Sequence, residues 1–220
     1  MALSRKKSIA FPTDIVTLRF EGTANQIIVH KDILCHSPWF ARKLSDPYGS
    51  LLLVCNESKE VGEQMVNWLY FNNLPYSQAD LKKNGEEGSR IGTEIVDAYC
   101  YAIKLELEDW ANALLDAFCV LAVEHMPRIS YLNRLEPVQP SDEGLRALLM
   151  RLLAGSIRQA GWDRYIQDVN QELSQVVRAG GEFAELLIKC LADPEVRSML
   201  PILQKRGRCK WHVHRLTKKC

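Results

Sequence analysis

The sequence predicts a mixed α+β (α/β) fold that becomes all-helical after about residue 140. Three observations carry this. Residues 14–20 (DIVTLRF) and 26–30 (QIIVH) alternate and are rich in branched residues, as paired strands are. The stretch IIVHKDILCHSPWF (27–40) passes from strand into two short helices with almost no loop, because Ser37 is a good N-cap and Pro38 suits the first helical position. Beyond Pro140, apolar residues recur at helical spacing and no strand pattern returns.

The 220 residues suffice for one domain and a smaller second one. A hydrophobic content of 47% is enough to build a sizeable core. The net charge of +1 is unevenly placed: residues 204–220 hold seven Lys/Arg and no acid, which leaves the other 203 residues at −6. Seven cysteines at no framework-like spacing suggest reduced core thiols in an intracellular protein of the cytoplasm or nucleus. Arg5-Lys6-Lys7 precedes too short an apolar segment for a signal peptide. No apolar run approaches the ~18 residues of a membrane span.

Taken in order, residues 1–12 read as a flexible leader. Residues 21–25 connect the first two strands, and Asp46-Pro47-Tyr48-Gly49 forms a loop. LLLVC (51–55) is a continuous apolar run, expected to be a strand buried on both faces. Val61, Met65, Trp68 and Leu69 mark one face of a helix over 61–71 that Pro75 should end. The segment 77–93, with KKNGEEGS, reads as a polar loop. Helices follow over 94–105, where Ile95, Tyr99, Ala102 and Ile103 align, and over 108–126, with Trp110, Leu114, Phe118 and Leu121 inward. Pro127, Pro137 and Pro140 punctuate a linker over 127–141. A helical unit over 142–203 then carries a Leu stripe to Gly161, a second helix with Ile166, Val169, Leu173 and Val176, and a third over 182–192. Residues 204–220 form the basic tail.

Several segments together resemble the BTB/POZ family. VTLRF followed by IIVHKDILCHSPWF is similar to that family's hairpin and its His-Lys/Arg, Leu, Ser, Phe pattern, matched by His30, Lys31, Leu34, Ser37 and Phe40. MVNWLYFNNLPY resembles its next helix, and IVDAYCYAIKLELEDWANALLDAF its closing helices. The resemblance covers about residues 13–126 and is strongest to the BTB proteins abundant in filamentous fungi. It implies a small sheet flanked by helices, no catalysis, and homo- or hetero-dimerising adaptor roles in cullin-type ubiquitin ligases or transcriptional regulation. It also places Asp14 and Lys31 where members that bind corepressors carry a charged pocket. The residues themselves support a plainer solvated ion pair there.

His30 could serve as a catalytic base only with a nucleophile and an orienting acid in reach, so it reads as a core histidine that locks the strand-to-helix turn. Cys35 and His36 are adjacent on a helix and point apart, which argues against an activated thiol. The tail alone has ligand-like spacing. Cys209, His212, His214 and Cys220 are four zinc-competent side chains, although His-x-His is irregular for a signature site. Lys205, Arg206, Arg208, Lys210, Arg215, Lys218 and Lys219 would favour a polyanion, with Trp211 available to stack on a base; a merely solvated tail is the simpler reading.

The expected function is a non-enzymatic interaction module without a required cofactor. It would dimerise with closed two-fold symmetry through an apolar face, with Leu34, Trp39, Phe40 and Leu44 at or just beneath that face. Trp39 would be either its anchor or a core aromatic. The alternative is a nucleic-acid- or zinc-binding regulator acting through the tail.

Overall fold

The computed structural model describes residues 14–20, 26–45, 51–125, 128–135, 143–168, 171–196 and 205–216. The chain divides into two units, Met1–Asn72 and Asn73–Cys220. This division falls inside the 13–126 stretch expected as one domain.

In the first unit, β1 (Ile15–Phe20) and β2 (Gln26–His30) pair antiparallel with Thr17 opposite Ile28. β3 (Leu52–Cys55) joins the other side of β1 in parallel, giving the order β2-β1-β3. Strand alternation sends Val16, Leu18, Phe20 and Val29 to an inner face, where all are buried. Helices α1 (Lys31–Leu34), α2 (Pro38–Leu44) and α3 (Lys59–Phe71) complete that core with Leu34, Phe40, Leu44, Val61 and Met65. The expected cap forms at Ser37, whose Oγ accepts from the Phe40 amide at 3.3 Å, and Ser58 Oγ caps α3 in the same way. Gly62 is required here, since a Cβ would sit 2.0 Å from the buried Phe20 ring.

Two expectations for this unit are corrected. LLLVC is not buried on both faces: Leu52 and Val54 of β3 are exposed on the sheet face opposite the core, and Leu51 before the strand is exposed as well. An apolar run alone does not reveal whether a second face is covered. α3 ends at Asn72, whose left-handed backbone (φ +50°) closes the helix three residues before Pro75.

In the second unit, α4 (Gly85–Lys104) packs on α5 (Glu108–Glu124). The polar NGEEGS segment is thus the start of a helix rather than a loop. Gly88 within it allows close approach: a Cβ there would meet the Lys83 carbonyl oxygen at 2.5 Å. α6 (Ile129–Leu135) lies within the expected linker, yet Ile129, Tyr131, Leu132 and Leu135 are buried and the helix packs on α4. α7 (Gly144–Ala160) carries the expected Leu stripe into the core, and its Leu145 amide donates to the Tyr99 hydroxyl at 3.2 Å. Gly161 (φ +83°) turns the chain into α8 (Trp162–Asp168), followed by α9 (Gln171–Ala179) and α10 (Glu182–Ala192). No described helix is long and apolar enough to cross a membrane.

A buried polar chain joins α4, α5 and α6. The Tyr131 hydroxyl donates to the Ser89 carbonyl at 3.3 Å and lies 3.2 Å from His125 Nε2. Because that hydroxyl proton is used, His125 donates from Nε2. Burial, with the Arg128 charge adding, holds the His125 imidazole below its ordinary value. The unfolded chain therefore takes up this proton first as pH falls. Stability is full above the ordinary histidine value of about 6.5 and declines as pH drops through it. Denaturant midpoints should fall between about pH 7.5 and about pH 5.5, and His125→Gln should flatten that slope. Parallel slopes in the two proteins would show that His125 does not cause it.

Candidate functional site

Three polar residues sit at i, i+4 and i+8 on α5: Glu108, Asn112 and Asp116. That spacing puts them on one helical stripe, and each engages the C-terminal segment. Asn112 Oδ1 accepts from the Val213 amide at 2.8 Å, while its Nδ2 donates to the Val213 carbonyl at 2.9 Å. The buried Glu108 carboxylate accepts from the amides of Arg215 (2.7 Å) and Leu216 (2.8 and 2.9 Å). Asp116 Oδ1 lies 3.3 Å from His212 Nε2 and 3.6 Å from an Arg208 guanidinium nitrogen. Burial pushes the Asp116 carboxyl up, but the hydrogen bond and charge of His212, with Arg208 adding, outweigh it and hold the group below its ordinary value.

The C-terminal segment is therefore docked rather than solvated. A 3₁₀ helix over Lys205–Trp211 leads into it, and Trp211 and Val213 are buried. Trp211 carries Lys210 Nζ 4.6 Å and the Arg151 guanidinium 5.2 Å from its ring centre. Its burial overturns the expectation that it stacks on a nucleic-acid base. Arg208 answers Asp116, and Arg215 donates to Glu143 at 2.8 Å. Acids of the unit's own body thus balance part of the basic run. Of Lys205 and Arg206 only the backbone is described, and Lys218, Lys219 and Cys220 lie outside the described residues.

This docking gathers Cys209, His212 and His214, whose ligand-capable atoms lie within 4.8 Å of one another. Cys209 Sγ is 3.7 Å from His214 Nε2. The three residues line a cavity of about 500 Å³ together with Glu143, Lys210 and Arg215. Cys209 is disulfide-bonded, against the expectation of reduced thiols, whereas Cys35, Cys55, Cys100, Cys119 and Cys190 are thiols. Burial pushes the Cys119 thiol up to about 12, so that sulfur is a core group and not a nucleophile.

In the first unit, Leu34, Phe40 and Leu44 are core side chains. Trp39 is half-buried, edge-on to Phe40 with ring centres 5.0 Å apart, and has Lys43 Nζ 5.7 Å from its ring centre. Asp14 and Lys31 meet through the backbone, the Lys31 amide donating to the Asp14 carbonyl at 2.9 Å. His30 is exposed, not core. The Tyr70 hydroxyl accepts from its amide at 3.1 Å and lies 2.6 Å from its Nδ1. Tyr70 on α3 thus ties β2 to the helices, so the strand-to-helix turn is held by a phenol rather than by a buried imidazole. His36 is exposed and Cys35 half-buried.

Sequence reasoning missed Glu108, Asn112 and Asp116. Their signal is the four-residue spacing of Glu108, Asn112 and Asp116 along a largely apolar helix. Asn112→Ala removes both bonds to Val213 and should free the segment by about 1–2 kcal/mol. Trypsin cleavage of the full chain at Lys210 and Arg215 should then accelerate about 5- to 30-fold with helix content unchanged; an unchanged rate would show that the segment is held elsewhere. No family model matches the chain, and neither a curated protein nor a solved structure matches it.

Proposed function

We propose that the chain is a non-enzymatic protein–protein interaction module of BTB/POZ type that pairs with a second copy through its N-terminal unit. One observation carries the reading. The outer face of the sheet presents Ile15, Ile28, Leu52 and Val54, each 40–64% exposed, interleaved with Thr17, Arg19, Gln26 and His30. The register sets Ile28, Thr17 and Leu52 in one row across all three strands. Strand faces that meet only water usually carry polar residues. Four large exposed apolar side chains on one sheet face suit a surface that another sheet covers.

A second copy supplies the same face, so a two-fold axis through the sheet would set these exposed Ile, Leu and Val side chains against their counterparts. The strand order, with β1 central and helices on the inner face, supports the BTB-like reading of the 14–72 region. Exposed His30 bound to Tyr70, and a Cys119 thiol raised by burial, support a non-catalytic role for these groups. Recruitment of a ligase or a transcriptional regulator would then fall to surfaces outside the self-pairing face.

Light scattering of the full chain at micromolar concentration tests the reading, with a dimer expected. Replacing Ile28 and Val54 together by Lys should give a monomer with unchanged helix content, because like charges would be forced into the interface. Trp39→Ala should leave the dimer intact, since that ring already packs on Phe40 and Lys43. Dissociation by Trp39→Ala alone would move the interface to α2, and a monomeric unmodified chain would overturn the reading.

A further inference from the structure

We propose that the C-terminal segment is a redox-gated zinc site, closed while Cys209 is in its disulfide and opened by reduction, with Cys209, His212 and His214 as ligands. It is independent of self-pairing by the N-terminal unit.

The donor set comes first. One sulfur and two imidazoles suit zinc, which takes thiolate and neutral imidazole in tetrahedral geometry. Ligand atoms bound at about 2.0–2.3 Å lie roughly 3.3–3.8 Å apart around such an ion. The Cys209–His214 pair already stands at 3.7 Å, and the whole cluster within 4.8 Å. Closing the remaining gap takes side-chain rotation of two rings whose centres are 5.9 Å apart.

The surroundings supply what an isolated Cys-His-His run lacks. Asp116 at His212 Nε2 is the carboxylate–histidine arrangement that orients a metal-bound ring, and it leaves Nδ1 as the ligand atom. Asn112 and Glu108 fix the backbone on the C-terminal side of the pair, so the ligands are held in register before any ion arrives. The cavity of about 500 Å³ gives solvent access and room for a water in the fourth coordination position.

The gate follows from sulfur chemistry. A disulfide sulfur is not a zinc ligand; a thiolate is. A dithiol reductant transfers two electrons and two protons to the disulfide: its S–S bond breaks, two protein thiols form, and the reductant becomes a disulfide. Zinc then binds the Cys209 sulfur, whose proton passes to solvent, and takes a lone pair from each neutral imidazole. Reoxidation reverses the order and releases the ion. Cys119, buried beside Asp116 and Arg208, keeps its proton and takes no part.

The test uses the full chain in two states, oxidised as purified and reduced with a dithiol that is then removed without air. Zinc content after dialysis against micromolar zinc should be about one equivalent in the reduced state and near none in the oxidised state. Cobalt(II) in place of zinc should give a thiolate-to-metal charge-transfer band in the reduced chain. His214→Ala and His212→Ala should each weaken zinc binding at least tenfold. Cys209→Ser should abolish the cobalt–thiolate band while circular dichroism shows the helices retained. His36→Ala, away from the site, should bind as the unmodified chain does. Equal zinc in both redox states would overturn the gate. No zinc in the reduced chain, or undiminished binding by Cys209→Ser, would overturn the site.

Discussion

Helix α5 has two jobs, and its sequence divides them by face. Trp110, Leu114, Phe118 and Leu121 are buried at helical spacing and hold the second unit's core. Glu108, Asn112 and Asp116 occupy a neighbouring stripe and hold the C-terminal segment. The key bonds on that stripe run from side chain to backbone, so they fix where the chain passes without asking for a particular side chain at Val213, Arg215 or Leu216. The buried Glu108 carboxylate is the most demanding of them. A charge taken out of water needs its hydrogen bonds returned, and two backbone amides return them. If the segment left, that carboxylate would lose those partners. Docking of the segment and satisfaction of α5 are therefore one event.

That constraint turns an unremarkable local sequence into a site. Residues 209–214 are too few to orient three ligands by themselves. Held by Asn112 on one side and by the 3₁₀ helix on the other, they bring a sulfur and two imidazoles together at the mouth of a cavity. The basic residues contribute to the same end. Arg208 and Arg215 reach Asp116 and Glu143, so charge that reads in isolation as a lure for polyanions is partly spent on the unit's own surface.

The order of elements was legible wherever the signal was local. Strand alternation at 15–20, Ser37-Pro38 before α2, and the Leu stripe of α7 each arise from neighbours within a few residues. What needed a distant partner was not legible. LLLVC has the composition of a buried strand, but whether a face is covered is decided by distant chain, and Leu52 and Val54 are exposed. NGEEGS has the composition of a loop, yet Gly88 within it, and Gly92 one turn further along α4, serve close packing against Lys83, His125 and Tyr131. His30 was assigned to the right turn with the wrong partner, because Tyr70 lies forty positions away. The Cys/His ligands could be named from spacing, whereas their docking partners on α5, about a hundred residues distant, carried no mark of that role.

The cysteines show why the site falls where it does. Cys119 is fully buried and its thiol is pushed to about 12, so neither an oxidant nor a metal can use it at neutral pH. Cys190 is half-buried and raised by burial as well, with Arg151 opposing that shift. Cys209 differs in kind. Its sulfur lines an open cavity, stands within reach of two imidazoles, and is already the oxidised member of the set. Solvent access makes it reducible, and the imidazoles give the resulting thiolate something to share a cation with. The proposed redox-gated zinc site thus rests on the same two facts, an open cavity and a docked segment, and removing the docking would weaken both of its properties together.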